Sequence, residues 1–292
     1  MDRAQSGLMA LCVGALAAMV VTGLTEEEDA FPQADAQVMS VAATVATLGS
    51  PTSTTTGTTP EPTVPAAPAP APRVVSVDDV APSVRRGMLV HDLESDGELF
   101  AERPDEPFPT ASVVKLLIAL DALDRGTASS RDVAWMLSTS SDPVANRLWH
   151  PAIPRRWAAE IGLAGLVPPA DPNRWGDTRM TARDVVAVYR YVLRSPHADV
   201  IVPALEAATP SGEDGFDQTF GIPDAVGAHR WGVKQGWACC HDGMRVLNTT
   251  GVVDRRYVVA VLTEHRRVTG YPRAAALVTE LVAALTPLFA AP

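Results

Sequence analysis

Lysine is almost missing from this chain. Of its 24 basic residues only Lys115 and Lys234 are lysines, and all the others are arginines. Arginine keeps its proton in a protein, whereas a lysine amine that is removed from water can lose its proton and act as a base. The two lysines therefore mark positions where the sequence needs chemistry that arginine cannot supply.

Positive charge and cysteine are also scarce. The formal net charge is -10 and no basic patch is visible, which argues against a nucleic-acid partner. Cys12 stands apart from the adjacent pair Cys239 and Cys240, and His241 alone lies near that pair, so we expect neither a metal site nor a cofactor. The pair is either two packed thiols or, in an oxidising compartment, a vicinal disulfide.

The first 25 residues predict a signal peptide or a membrane anchor. Leu8 to Leu24 is an uncharged stretch of 17 residues, a suitable length for either. Cys12 lies deep inside this stretch behind the bulky Leu11, so we do not predict a lipid on its sulfur. The protein is expected to be extracytoplasmic, secreted or anchored, and to touch a membrane only through this segment.

Residues 26–72 predict a disordered linker. Alanine, threonine and proline dominate this segment, with seven prolines from Pro51 to Pro72. Such a tract has few large apolar side chains to offset the entropy cost of ordering, and it favours an extended spacer. The globular domain is predicted to span residues 73–292.

Strand patterns lie at both ends of this domain. Apolar residues at 88–93 and a second run at 98–101 flank an Asp-Gly turn, which predicts a hairpin. Near the C-terminus, residues 231–237, 244–253 and 257–263 also favour strands.

Helical patterns fill the middle of the domain and its end. The helices are predicted at 112–123, within 131–193 and at about 274–288, with Thr181 and Asp184 as a capping box for one of them. Strands around a helical middle predict an α+β fold with an antiparallel sheet.

Ser112 and Lys115 are the candidate nucleophile and base. Positions i and i+3 share one face of a helix, so the hydroxyl and the amine can meet there. The backbone N–H of Ser112 at the helix start is free of intrahelical bonding, and the helix dipole favours a developing anion at that end. This pair is suited to acyl transfer through serine.

Two further motifs follow in the chain. Ser141 precedes Asp142 and is a candidate second hydroxyl for proton relay, although the cluster from Ser138 to Asp142, judged alone, favours a helix N-cap. Lys234 on a late strand is a candidate for binding an anionic group, and Gly236 allows that strand to approach a ligand closely.

The order S-x-x-K, S-D-x, K-x-G over residues 85–292 resembles that of serine β-lactamases and penicillin-binding proteins. The segments that carry the resemblance are 108–115, 136–148 and 176–184. It implies catalytic roles for Ser112, Lys115, Ser141 and Lys234. It also implies an oxyanion hole formed by the N–H groups of Ser112 and Trp237, and substrate-binding or oxyanion positions at Gly236, Gln235, Asn146 and Trp237.

Three departures from the family pattern are visible. Pro143 stands where the family has an asparagine that holds the substrate amide, and Gln235 replaces a hydroxyl residue that binds a carboxylate. Between Ile161 and Thr181 there is no glutamate to activate water, only Asp171 and Asp177. We therefore expect poor turnover of β-lactams.

Three interpretations of the sequence remain open. The first is an exported serine hydrolase or acyltransferase that acts on a small molecule or a peptidoglycan peptide in the cell wall. The second is a catalytically degenerate module of the same fold that binds wall peptide or a protein partner. The third is an unrelated α+β domain in which the motif matches are accidental.

Overall fold

The computed structural model describes residues 75–290. The predicted signal peptide or anchor at 1–25 and the predicted linker at 26–72 lie outside the described residues.

An antiparallel sheet forms the centre of the domain. Its strands lie in the order β2-β1-β8-β7-β5, and β6 also pairs with β7. The strands are β1 (Arg85–Asp92), β2 (Gly97–Glu102), β5 (Trp231–Val233), β6 (Gly236–His241), β7 (Met244–Val253) and β8 (Tyr257–Arg266). N- and C-terminal segments thus meet in one sheet, which confirms the predicted α+β fold.

Most of the helices lie between the two groups of strands. They are α1 (Lys115–Asp124), α2 (Ser130–Ser138), α3 (Asp142–Leu148), α4 (Ile153–Ile161), α5 (Ala182–Arg194), α6 (Ala198–Glu206), α7 (Ile222–Ala225) and the C-terminal α8 (Tyr271–Leu285). Two short strands, β3 (Phe108–Pro109) and β4 (Arg179–Met180), pair with each other. Within residues 75–290, none of these helices is long and apolar enough to cross a bilayer.

The sheet separates two apolar cores. Along β8, Val258, Ala260 and Leu262 pack with the helices of the middle section, whereas Val259 and Val261 pack with α8. Successive side chains of a strand point to opposite faces, so a strand that is covered on both sides reads as a continuous apolar run. Helix α1 lies inside the first core, with residues 115–122 all buried.

The predicted elements differ from the observed ones in two places that matter for the site. The helix predicted at 112–123 begins with a 3-10 turn at Ala111–Val114, and α1 proper starts at Lys115. The strand predicted at 231–237 is interrupted at Lys234 and Gln235, although its register against β7 continues. The interruption arises because the Lys234 carbonyl accepts its hydrogen bond from the Thr250 hydroxyl.

Candidate active site

Ser112 lies in the 3-10 turn that leads into the buried helix α1. The preceding Ala111 has a φ of 45°, in the left-handed region that costs a non-glycine residue energy. Asn248 on β7 holds the chain just before this point, because its amide donates to the carbonyls of Pro109 and Thr110 at 2.9 and 3.3 Å. The turn is therefore fixed by the sheet as well as by the helix.

Lys115 is completely buried, and its amine contacts four oxygen atoms. Nζ lies 2.9 Å from Ser112 Oγ, 2.7 Å from the Ser140 carbonyl and 3.3 Å from Ser140 Oγ. The fourth contact, at 2.5 Å, is with Asp142 Oδ1. The amine of Lys115 is thus positioned to take a proton from Ser112 by hydrogen-bond geometry.

Ser140, and not Ser141, is the hydroxyl beside both lysines. Lys234 Nζ donates to Ser140 Oγ at 2.9 Å, while Ser141 Oγ accepts from the N–H of Val144 and forms the N-cap of α3. The sequence-based placement of the second hydroxyl was wrong by one residue, and the N-cap alternative for Ser141 is confirmed. Ser140 has a φ of 56°, and this left-handed residue immediately precedes the N-cap of α3.

The same shift applies to the next residue of the motif. Asp142, and not Pro143, presents its side chain to Lys115, and Pro143 lies in the first turn of α3. The predicted loss of a polar group at this position was therefore wrong. In its place the site has a carboxylate, which is more than half exposed and lines the cleft.

Burial dominates the electrostatics of the two lysines. Desolvation lowers the pKa of Lys115, and the charge of Asp142 opposes this effect without cancelling it. For Lys234, burial and the nearby charge of Lys115 hold the pKa well below its usual value. Two ammonium groups in one buried site disfavour each other, so one of them readily releases its proton.

Strand β6 passes so close to the chain at Ser112 that its first residue, Gly236, has no room for a side chain. A Cβ on Gly236 would lie 2.6 Å from the Thr110 carbonyl and 3.4 Å from the Ser112 nitrogen. The approach brings the start of β6, including Trp237, to the edge of the cleft above Ser112. The predicted oxyanion hole needs this proximity.

The cleft has a volume of about 420 Å³ and is open to solvent on one side. Its walls combine aromatic and charged residues with the nucleophile. They include Ser112, Asp142, Arg174, Trp175, Asp177, Asp214, Trp237, Cys239 and Tyr271. The ring of Trp175 lies 4.7 Å from Lys115 Nζ in a cation–π contact and covers the amine on that side.

Gln235 and Asn146, which were among the predicted substrate-binding residues, do not line this cleft. Gln235 is buried and turned inward, where its amide donates to the carbonyls of Gln218 and Phe220 at 3.0 and 2.6 Å. Asn146 accepts a hydrogen bond of 2.7 Å from the indole of Trp175 and so positions that ring. Their positions therefore support the walls of the cleft.

Of the other residues singled out in the sequence, some line the cleft and some lie outside it. Asp177 lines the cleft and is paired with Arg174 at 2.6 Å, whereas Asp171 caps a turn outside it. Cys239 and Cys240 are joined as a vicinal disulfide on β6, one of the two alternatives that the sequence left open. Within residues 75–290, no cluster of His, Cys, Asp or Glu is arranged to hold a metal ion.

Sequence reasoning missed four side chains of the site: Ser140, Asp142, Trp175 and Asp214. For Ser140 the signal was present, since two serines precede Asp142 and either could start the motif. Trp175 directly precedes the segment 176–184 and Asp214 lies far from the motifs, and both stand in loops that no periodicity marks. These two residues belong to the site only because those loops fold over the cleft.

Comparison with known proteins supports both the fold and a family. No family model matches the chain. The "Putative lipoprotein LppW" of Mycobacterium tuberculosis and of Mycobacterium bovis is 34% identical over 210 residues, which cover 65% of this chain and 67% of the relative.

Solved structures agree on the fold. A β-lactamase from Chitinophaga pinensis aligns with a TM-score of 0.59 at 15% identity, over 72% of this chain and 97% of that one. The penicillin-binding protein PBP-A aligns with a TM-score of 0.55 at 18% identity, over 70% of this chain and 89% of that one. The chain therefore has the fold of serine β-lactamases and penicillin-binding proteins, as the motifs predicted. It belongs to the family of the mycobacterial proteins named "Putative lipoprotein LppW".

Proposed function

We propose that this protein is an exported serine acyltransferase or hydrolase that forms an acyl-enzyme on Ser112. One observation carries the proposal: the Lys115 amine, buried and with a lowered pKa, lies 2.9 Å from Ser112 Oγ at the edge of an open cleft. A serine hydroxyl is a weak nucleophile until a base of suitable pKa lies within hydrogen-bond distance.

In the proposed reaction, Ser112 Oγ attacks the carbonyl carbon of an amide or ester while its proton passes to Lys115. The negative charge on the carbonyl oxygen is stabilised by the N–H groups of Ser112 and Trp237. When the bond to the leaving group breaks, the proton moves from Lys115 through the Ser140 hydroxyl to the departing atom. Lys234, on the far side of Ser140, donates a hydrogen bond to this hydroxyl and fixes its position on the path.

The acyl-enzyme is proposed to persist. Deacylation needs a base that activates water beside the ester, and no glutamate lies between Ile161 and Thr181. Asp177 in this region is committed to Arg174, and the Trp175 ring covers Lys115 on one side. Turnover of β-lactams is therefore expected to be slow, and transfer to an amine or alcohol acceptor becomes a competing outcome.

The location that fits this chemistry is outside the cytoplasmic membrane. The related LppW proteins carry the name "Putative lipoprotein", and the N-terminal apolar stretch at 8–24 has the length of a signal peptide or an anchor. An acyl-transfer site with a penicillin-binding protein fold, placed there, has peptidoglycan peptides as accessible substrates.

A binding module without turnover is the second candidate. It is favoured by the contact of 2.5 Å between Asp142 and Lys115, because a carboxylate so close stabilises the protonated, non-basic amine. The two candidates differ in covalent chemistry and not in the shape of the cleft.

Intact mass measurement after incubation with a fluorophosphonate or a penicillin separates them. A serine hydrolase gains one adduct, and Ser112→Ala abolishes it. Lys115→Arg keeps the charge but removes the base, so labelling should fall by about 10²-fold or more. Ser76→Ala, an exposed position outside the cleft, serves as the matched control. A folded wild-type protein that forms no adduct with either probe contradicts the acyl-enzyme and favours the binding module.

A further inference from the structure

The charged residues that line the cleft are mostly acidic. Asp142, Asp177 and Asp214 contribute carboxylates, and Arg174 is the basic residue among the lining side chains within residues 75–290. Arg174 is already paired with Asp177. An anionic substrate would therefore meet carboxylates without a free partner for its own charge.

The other cations near the cleft are committed as well. Lys115 and Lys234 are buried and donate to Ser140, so they have no exposed surface for a ligand carboxylate. Arg245, beside the cleft residue Tyr271, donates to the carbonyls of Thr269 and Arg267 and stacks on the Tyr271 ring at 3.9 Å. An anion would have to displace these contacts.

The position directly before β6 carries no hydroxyl that could bind a carboxylate. Gln235 occupies that place, and its amide is directed away from the cleft to the carbonyls of Gln218 and Phe220. This inward orientation is independent of the acidic lining, and both observations disfavour an anionic substrate group.

Among the described residues of the cleft wall, Asp214 is the carboxylate without a salt-bridge partner. Among the described residues it forms no ion pair, and it accepts hydrogen bonds from the Trp237 indole at 2.9 Å and from the Phe216 N–H at 3.0 Å. These bonds fix the carboxylate at the cleft wall next to the start of β6. Its negative charge acts on both buried lysines and raises the pKa of each.

We propose that the acyl donor of this cleft presents a cationic group, such as an amine, to Asp214. The proposal rests on the proposed function, since it names the substrate class of the Ser112 nucleophile. An exposed carboxylate on an open wall gains a modest Coulomb energy, and the neighbouring aromatic rings add to the preference for a cation. The cation binds by charge pairing and takes no part in bond breaking.

Two pairs of thioesters test the proposal, with the charge on either side of the scissile bond. Nα-acetyl-lysine and Nα,Nε-diacetyl-lysine thioesters of N-acetylcysteamine differ in charge on the acyl side. Acetyl thiocholine and its 3,3-dimethylbutyl thioester analogue differ in charge on the leaving group. The second-order acylation rate is measured by thiol release and by the mass of the Ser112 adduct.

For each pair, the acylation rate with the cationic member is divided by the rate with the neutral member. In at least one pair, this ratio should be about fivefold higher for the wild-type protein than for Asp214→Asn. Raising the ionic strength should shrink the preference. Asp79→Asn removes an exposed carboxylate outside the cleft and should keep the wild-type ratio. Equal ratios in the wild-type protein and Asp214→Asn for both pairs would overturn the proposal.

Fluorophosphonate labelling distinguishes this failure from a failure of the proposed function. If the probe labels Ser112 but neither thioester pair shows a charge preference, the acyl-enzyme stands and the cationic substrate does not. If the fluorophosphonate and all thioesters leave Ser112 unmodified, both proposals fall together. Because the comparison of rates within each pair is also made on the wild-type protein, it does not depend on the stability of a variant.

Discussion

Ser140 Oγ accepts a hydrogen bond of 2.9 Å from Lys234 Nζ, and both residues are buried. The same hydroxyl lies 3.3 Å from Lys115 Nζ, so it connects the only two lysines of the chain. Ser112 is one step further along, at 2.9 Å from Lys115. A continuous path of hydrogen bonds thus runs from the cleft into the interior of the domain.

Replacing Ser140 and Ser141 by alanine, one at a time, tests this path. Ser140→Ala removes the hydroxyl between the lysines, and we expect the acylation rate of Ser112 to fall by about 10²-fold or more. Ser141→Ala removes an N-cap, and we expect about 1 kcal/mol less stability with a much smaller change in rate. Fluorophosphonate labelling kinetics and urea unfolding measure the two effects, and the reverse pattern would restore Ser141 to the relay position.

Asp142→Asn is expected to shift the pH dependence of acylation. Burial lowers the pKa of Lys115 and the Asp142 charge raises it, so removal of that charge lowers the pKa further. Lys115 is then deprotonated at lower pH, and the rising limb of the rate should move toward acid. Labelling rates across pH report the shift, with Asp79→Asn as the control for loss of an exposed carboxylate. A shift toward alkaline pH would contradict the assignment of Lys115 as the base.

Gly236→Ala is expected to damage both stability and acylation. The added Cβ would lie 2.6 Å from the Thr110 carbonyl and 3.0 Å from Val113 Cγ2, so β6 must move away from the nucleophile. Overpacking of this kind costs about 1–3 kcal/mol. Gly270→Ala is the matched control, since its nearest contact is at 3.8 Å. Urea unfolding and labelling rates measure the change, and wild-type values for both would show that the strand tolerates the methyl group.

A shortened chain that begins at Arg73 is expected to unfold at the same temperature as the chain without residues 1–25. A chain that begins at Ser83 should be less stable by roughly 3 kcal/mol or more. The reason is that Val77 and Ala81 are buried, and the backbone carbonyls of both accept hydrogen bonds from the buried Arg86 guanidinium. Calorimetry of these three chains checks the boundary, and a large loss of stability with the Arg73 start would show that residues 26–72 pack on the domain.

The elements near the site were predictable because their signals are local. Helix periodicity identifies α1, the Asp-Gly turn identifies the first hairpin, and the capping box of Thr181 and Asp184 is present as predicted. The 3-10 turn at Ala111–Val114 was not predictable, because it depends on the bonds from Asn248, more than 130 residues away. The inward turn of Gln235 likewise depends on carbonyls of a separate loop.

The sequence by itself determined the order of chemical groups: two lysines in an arginine-rich chain, a serine three residues before one of them, and a glycine two residues after the other. Those features follow from residue type and spacing, which fix helix faces and strand alternation. Only the tertiary structure decided which of two adjacent serines faces the lysines and which carboxylates line the cleft. Neighbouring residues in a loop can point in opposite directions, and that choice is made by long-range packing and hydrogen bonding.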